Sequence, residues 1–544
     1  MHSSADPDPQ NHQPLTTQRR PSRLQTAALT VILATLLSRV MGMVRDIVIA
    51  YVFGQDGVTD AYTAAFKIPD LMTYLIAGGA LASTFLPVFS DYLRKDDEDG
   101  AWRMFSVVAT MTLIAGIVFV VLAEIFTKPL VIFLNDGYAA RPEKVALAVE
   151  LSRIVLPAQI FFLIGGLLMG TQNARGKFLI PALGPSIYNL GIIVGALLAR
   201  PLGIGVPALM YGALAGAFLG NFALQVAASR KAGARFAFNV NVRDPGAVQV
   251  WKLMLPIVLG ASLPNVDQLI NGKFASELAD GIQSALTSAN RLMLIPIGVF
   301  AQATAVAVFP LMTQQASAGR RDLLRGTIHR SLVKVLFLTV PVSALFYLLA
   351  VPVVALIFQH GHFKATSTLL TATALQFYAL GIFAWSAQAI LTRGFYAVKD
   401  SRYPVISGTV MTLLFIAMNV FVVRHTHWGI AGLAAVTSVA AALHAASMYY
   451  VLRYRMRGLM SQAMLVSVTK IGLATAALCA AAAATNALCT HWSGAATASF
   501  ASALAHTLLA GATGVAAYYA AALTMKMPEA VTAQRLMAGR FRAG

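Results

Sequence analysis

Residues 101–125 read AWRMFSVVATMTLIAGIVFVVLAEI, and from Met104 to Ala123 no side chain carries a formal charge. A helix of about 20 apolar residues crosses the hydrocarbon core of a bilayer, so this stretch reads as a membrane span. Reading outward from it between polar, Gly- and Pro-rich breaks gives fourteen such runs. They lie at 25–53, 60–90, 101–125, 145–171, 179–199, 206–229, 247–273, 283–312, 328–358, 367–392, 404–423, 428–452, 464–487 and 500–524. The composition agrees, with 58% of the 544 residues hydrophobic and 12% charged, where soluble proteins carry about 25% charged residues. That balance excludes a disordered chain, a nucleic-acid-binding domain and a disulfide-built secreted scaffold. The expected fold class is an all-α polytopic membrane protein.

The net charge of +19 has a topological origin. With the amino terminus placed in the cytoplasm, 26 of the 41 lysines and arginines fall in loops and tails on that side, 7 in the opposite loops and 8 within the runs. Cations collect in cytoplasmic loops, so both termini are expected in the cytoplasm, with no nucleic acid as partner. The polar stretch 1–24 lacks the apolar core and cleavage site of a signal peptide and reads as a disordered tail. Cys479 and Cys489 have neither disulfide-framework nor metal-site spacing.

The runs also repeat. Pro87 closes STFLP in the second run and Pro310 closes AVAVFP in the eighth, 223 residues on. Pro181 and Pro404 stand at the same offset, and GVPAL at 205 matches GIAGL at 429. Runs 1–6 and 7–12 therefore read as two copies of one unit, in parallel orientation because six is even. The expected organisation is a first lobe at 25–230, a second lobe at 246–453, an added helix pair at 464–524 and a cytoplasmic tail at 525–544. Paired repeats with a site between them are a common transporter plan.

A charge at mid-bilayer costs about 2.5–3.5 kcal/mol on insertion scales and persists where it meets a partner or a wet cavity. The first two runs hold Arg39, Arg45, Asp46, Asp60, Lys67 and Asp70. On a helix Arg39, Gly42 and Asp46 share a face, and Asp60, Lys67, Asp70, Tyr74 and Gly78 fall within a band of about 80°. In the second repeat Arg291 stands 19 residues before Pro310, as Lys67 stands 20 before Pro87. Cations from both halves at one depth suit an anionic substrate, phosphate or diphosphate first. Inter-helix salt bridges that only hold the bundle together, Arg45 with Asp46 and Lys67 with Asp70, fit the same residues. Arg153, Lys252, Lys334 and Lys470 lie near run ends and are expected to snorkel to the interface.

Asp267 is a lone carboxylate in GASLPNVDQLI of the seventh run. It invites a proton or a sodium ion, with Asn419 and Thr437 as neutral oxygen donors, and it equally fits a protonated or hydrogen-bonded Asp with no transport role. Pro157, Pro185, Pro256, Pro264 and Pro296 mark bends or close packing. His360 and His362 flank Gly361 as a weak metal signal. There is no Walker loop, HExxH, GxSxG or CxxC, so no enzyme and no organic cofactor is expected, and transport is left to an ion or the membrane potential.

The segments SRVMGMVRDIVIAYVFG at 38–54, TDAYTAAFKIPDLM at 59–72 and GGALASTFLPVFSDYL at 78–93 resemble the MurJ/MviN family of lipid II flippases. So do NRLMLIPIGVFAQATAVAVFPLM at 290–312, FQHGHF at 358–363 and RGFYAVKDSRYP at 393–404. The resemblance covers about residues 25–525 and places the chain in the multidrug/oligosaccharidyl-lipid/polysaccharide exporter superfamily. It implies two six-helix lobes around a cavity and a final helix pair forming a groove for the lipid tail. It also implies alternating access that carries undecaprenyl-diphosphate-linked peptidoglycan precursor from the inner to the outer leaflet of the bacterial inner membrane. Lipid II, membrane lipids and cell-wall synthesis proteins are the implied partners. The family's diphosphate-binding arginines map to Arg45 and Arg291, its other cavity charges to Arg39, Asp46, Asp60 and Lys67, and the sodium site of some members to Asp267, Asn419 and Thr437. After FKIPDL many members carry two arginines and then a glutamate, where this chain has Thr73, Tyr74 and Gly78. That departure leaves open another polyprenyl-linked glycan, or a drug, as substrate. A membrane glycosyltransferase and an inert scaffold for wall enzymes are the alternatives from other classes.

Overall fold

The computed structural model describes residues 23–72, 80–261, 266–456 and 462–541, which fold into helices with no β-strand among them. The first half comprises α1 (Arg23–Phe53), α2 (Gly57–Ala65), α3 (Lys67–Met72), α4 (Ala80–Arg94), α5 (Glu98–Ile125) and α6 (Thr127–Leu134). It continues with α7 (Pro142–Val155), α8 (Ala158–Ala174), α9 (Leu179–Leu198), α10 (Pro207–Gly216) and α11 (Leu224–Lys231). The second half comprises α12 (Pro245–Ala261), α13 (Val266–Ala275), α14 (Ile282–Pro296), α15 (Ala303–Ser317), α16 (Arg321–Leu348) and α17 (Ala350–Phe358). It closes with α18 (Ala365–Ala379), α19 (Ile382–Ala397), α20 (Arg402–His425) and α21 (Gly429–Arg455). After it come α22 (Gln462–Ser493), α23 (Phe500–Ala505), α24 (Gly511–Thr524) and α25 (Pro528–Phe541).

Among the described residues, ten helical stretches are long and apolar enough to cross a membrane, and eleven if α18 and α19, bent by 43°, count as one. This is consistent with fourteen spans. The sequence runs left over are the first, second and seventh, and the second and seventh pass through 73–79 and 262–265, outside the described residues.

Local chemistry sets the helix ends. Asp56 and Thr59 form a reciprocal capping box at the start of α2, and the Asp97 carboxylate accepts the Gly100 N–H at 2.8 Å at the start of α5. Of the sequence's expected bends, Pro157 separates α7 from α8, and Pro296 precedes a wide π-type turn, Ile297–Gln302, joining α14 to α15. Helices α9 and α10 meet through Gly191, Gly195, Gly212 and Gly216. A Cβ on Gly191 would stand 2.3 Å from the Gly212 carbonyl oxygen, so the backbones approach as only glycine allows.

Apolar packing falls into separate clusters. Two lie in the first half, around Tyr138, Leu151 and Ile192 and around Phe85, Phe89 and Trp102. A larger one lies in the second half, around Phe358, Tyr378 and Phe395. Helices α16, α22, α24 and α25 share a fourth, around Phe337, Leu478 and Tyr518. Helix α12 follows the linker between the repeats, yet Ala247 and Val250 pack into the first-half cluster, while α13, beyond residues 262–265, lies against α20 and α21 of the second half.

Candidate functional site

Helix α1 carries Arg45 and Asp46 into the gap between the halves, and α14 carries Arg291 to meet them. The Arg45 guanidinium donates to Asp46 Oδ1 at 2.9–3.0 Å and to Asn189 Oδ1 of α9 at 3.0 Å. Arg291 pairs with the same Asp46 oxygen from the other side. Asp46 is buried, Arg45 half-buried and Arg291 open to the cavity. One carboxylate thus holds two guanidiniums, one from each half, and the cluster keeps one surplus positive charge. The cavity it faces has a volume of about 450 Å³ and is lined by Arg45, Lys67, Asp70, Asp267, Asn290 and Arg291 among others. Counted over Asp46 and this whole wall, three cations face three acids.

A second cross-half cluster closes the cation-poor face. Gly281 sits in the left-handed region at φ +85 before α14 and brings no capping side chain of its own. Asp60 of α2 supplies the cap from the other half, accepting the Gly281 N–H at 2.8 Å and the Ser284 N–H at 2.9 Å. Lys144 bridges Asp60 at 3.0 Å and Asp280 at 2.7 Å, and Arg141 donates to Asp280 at 2.5 Å. Beside it Tyr138 donates its hydroxyl to Gln283 Oε1 at 2.8 Å, and Gln55 donates to the Gly281 carbonyl at 2.9 Å. The hydrogen bond from Lys144 holds the Asp280 carboxyl below the usual carboxylate range. At the end of α1, the His362 N–H donates to the Tyr51 carbonyl at 3.0 Å, and the Arg200 guanidinium lies against the His362 ring.

The sequence profile of the lipid II flippase MurJ family matches residues 49–502. The chain belongs to that family. It is 29% identical over 447 residues to a probable lipid II flippase MurJ of Bdellovibrio bacteriovorus, covering 82% of this chain and 85% of that protein. It is likewise 29% identical over 435 residues to the lipid II flippase MurJ of Burkholderia cenocepacia, covering 79% and 84%. In fold it resembles a lipid II flippase MurJ in an inward closed conformation, with a TM-score of 0.74 and 22% identity over 91% of this chain and 99% of that one. It also resembles an inward-facing multidrug transporter of the MATE family and MOP superfamily, with a TM-score of 0.64 and 18% identity over 79% and 98%. Membership makes the chain a multi-pass protein of the bacterial inner membrane.

The residues singled out by sequence take different places in this member of the MurJ family. Arg45, Asp46 and Arg291 come together in one cluster. Lys67 reaches the same cavity but is anchored away from Asp70. Its ammonium donates to the Leu134 carbonyl at 3.0 Å and to Asn135 Oδ1 at 2.5 Å, at the carbonyl-rich end of α6. A Cβ at Gly272 would stand 2.6 Å from this ammonium, so glycine is what admits the lysine. Asp60 belongs to the closure of the cation-poor face, not to the cavity wall. Arg39 is exposed and lies against Gly298, where a Cβ would fall 2.4 Å from its guanidinium, about 9 Å along the helix from Arg45. Thr73, Tyr74 and Gly78 lie outside the described residues. Of the cations expected to snorkel, Arg153 pairs with Glu124 at 3.7 Å and Lys470 donates to the Met525 carbonyl at 2.7 Å.

Asp267 and Thr437 share a stretch of the cavity wall with Asn271, whose amide donates to the Thr437 hydroxyl at 2.9 Å. Asn419 is fully buried on α20, its amide donating to the Phe415 carbonyl at 3.0 Å, and lines neither this cavity wall nor its neighbour. The side-chain oxygens of Asn271 and Asn419 are buried without a hydrogen-bond partner. One carboxylate with neutral amide and hydroxyl oxygens is the donor set of a hard cation, and Asp267, Asn271 and Thr437, which share the wall, fit one. Sequence reading did not find Asn135, Lys144, Asn189, Asn271 or Asp280. Each acts across a long separation, such as the 136 residues between Lys144 and Asp280, and no spacing rule reaches so far.

Proposed function

We propose that this chain moves lipid II, the undecaprenyl-diphosphate-linked peptidoglycan precursor, from the inner to the outer leaflet by alternating access, with the cation-poor face outward and both termini in the cytoplasm. The observation that carries the reading is the convergence of Arg45 and Arg291, one from each half, on a single carboxylate facing the cavity. Guanidiniums bind diphosphate oxygens through paired N–H donors. Because the two donors belong to different halves, a diphosphate held by both draws the halves together, and their separation on the other face releases it. The added helix pair α22 and α24, packed on α16, is assigned to the polyprenyl tail.

Asp267 is assigned as the site of a coupling cation, sodium or proton, with Thr437 and Asn271. Once neutralised, Asp267 no longer offsets a cavity cation, and the balance of three against three tips toward binding an anion. Linkage makes the effect reciprocal, so bound diphosphate raises cation affinity in turn.

The test is translocation of lipid II in proteoliposomes of the purified chain, with Arg45→Ala beside it. Translocation by the parent chain and its loss in a folded Arg45→Ala variant is the expected result. A folded parent chain that moves no lipid II overturns the reading. Transport independent of sodium and of pH, together with full activity of Asp267→Asn, removes the cation site while leaving the flippase standing.

A further inference from the structure

The second half contains a cavity of its own, of about 300 Å³, between α19, α20 and α21. It shares Asp267, Trp385 and Thr437 with the wall of the central cavity, so one carboxylate stands on the partition between two chambers. From Thr437 the lining follows α21 through His444 to Met448, about 16 Å of helix rise. On α20 it passes from Phe415 back to Pro404, and on α19 from Trp385 to Arg393 and Tyr396. All three helices run there toward the cation-rich face, where Arg393, Arg402 and Arg453 lie. Tyr396, at that end, is 44% exposed. The chamber is therefore a shaft running from Asp267 toward the cation-rich face, and neither Arg45 nor Arg291 lines it.

Its lining suits a small hydrated cation. Gln302, Gln388, Thr392 and Thr437 supply neutral polar groups along it. Among the lining residues Asp267 is the one acid, and His444 and Tyr396 are the titratable groups between it and Arg393. His444 bonds Ser407 through Nε2 at 3.2 Å. Arg393 donates back to the Ala389 carbonyl of its own helix at 3.3 Å. Its fixed charge near the mouth disfavours a cation resting there, so an ion is held at Asp267 or passes on to bulk water.

We infer that this shaft is the route by which the coupling cation passes between Asp267 and the cytoplasm, independently of the cavity that carries the lipid. The inference rests on the assignment of Asp267 as the cation site. It gives the two cargoes separate paths meeting at one carboxylate, so the cation reaches or leaves the cytoplasmic side while the central cavity is filled.

Gly408 gives the test. It lines the shaft, and a Cβ built on it meets one atom within 4 Å, His444 Cε1 at 3.9 Å. Gly408→Leu therefore plugs the shaft without touching the central cavity, and Gly408→Ala is the small-volume control. Lipid II translocation is measured in proteoliposomes under a sodium gradient at fixed pH and, separately, under a pH gradient in potassium. Binding of lipid II at equilibrium is measured alongside. The expected result is that Gly408→Leu lowers gradient-driven translocation about tenfold, keeps the lipid II affinity of the parent chain, and leaves Gly408→Ala close to it. The gradient that drives the parent chain identifies the cation. Gradient-driven translocation by Gly408→Leu equal to that of the parent chain overturns the shaft while leaving Asp267 as the site, and so does a loss explained by weaker lipid II binding. If the parent chain translocates but responds to neither gradient, the cation site and the shaft fall together.

Discussion

Two ion clusters join the halves of this molecule, and they are built to opposite rules. At the central cavity Arg45 and Arg291 compete for the single carboxylate of Asp46. At the cation-poor face two cations meet two acids, Arg141 with Asp280 and Lys144 with both Asp60 and Asp280, and Asp60 also takes two backbone N–H groups at the start of α14. The first cluster has positive charge left over for an anion. The second is satisfied by its own members and holds the faces together. A site that binds cargo must be left incomplete by the protein, because a fully paired charge has little to offer a ligand. A latch must be complete, or water and counter-ions would compete for it.

Breaking the incomplete cluster has the largest expected effect. Arg291→Ala is expected to lower lipid II translocation about a hundredfold or more, since hydrogen bonds to a charged ligand are lost and the remaining Arg45 is neutralised by Asp46. Membrane abundance is expected to stay that of the parent chain, which a blot of the membrane fraction checks. Transport by this variant at a rate near the parent's would show that the surplus charge is not the ligand for the anion. Asp46→Asn sharpens the comparison from the other side. It leaves two guanidiniums with no acid between them, so lipid II is expected to bind more tightly and turn over about tenfold more slowly, read from equilibrium binding and translocation rate on one preparation.

Weakening the complete cluster is expected to act on closure more than on binding. Asp60→Asn keeps one oxygen for the cap of α14 but loses the ion pair with Lys144. Labelling of a Thr287→Cys reporter in the central cavity, in a background lacking Cys479 and Cys489, is expected to rise a few-fold with an impermeant thiol reagent applied at the cation-poor face. Unchanged labelling would show that Asp60 does not keep that face shut. Acid has the smallest expected effect. The Asp280 carboxyl is held below its usual range by Lys144, so its contribution to closure is fully present above the ordinary carboxylate pKa. It is lost only as pH falls through the depressed value. Reporter labelling is therefore expected to be flat near neutrality and to rise only in strong acid, and a rise at mildly acidic pH would contradict the assignment.

Much of this was legible along the chain. The apolar runs, the bias of lysine and arginine and the constant offset between Pro87 and Pro310 follow from composition and period, which sequence states directly. The cost of burying a charge marked Arg45, Asp46 and Arg291 before any contact was known. The same argument could not separate Lys67, tied to Leu134 and Asn135, from a free cavity cation, nor place Asp60 at the latch, because partner choice depends on which loops the packed helices bring near. Helix α12 is the plainest case. Its position in the chain gives it to the second repeat, and its side chains pack in the first.

The sequence by itself thus determined that the chain lives in a membrane and which few residues carry charge where charge is costly. These are properties of neighbours in the chain, set by the price of moving each side chain out of water. The tertiary structure alone decided which charges meet, which are left with an unused donor, and that Asp267 stands between two chambers. Those are properties of residues more than a hundred positions apart, brought together only when both halves pack around the space they share.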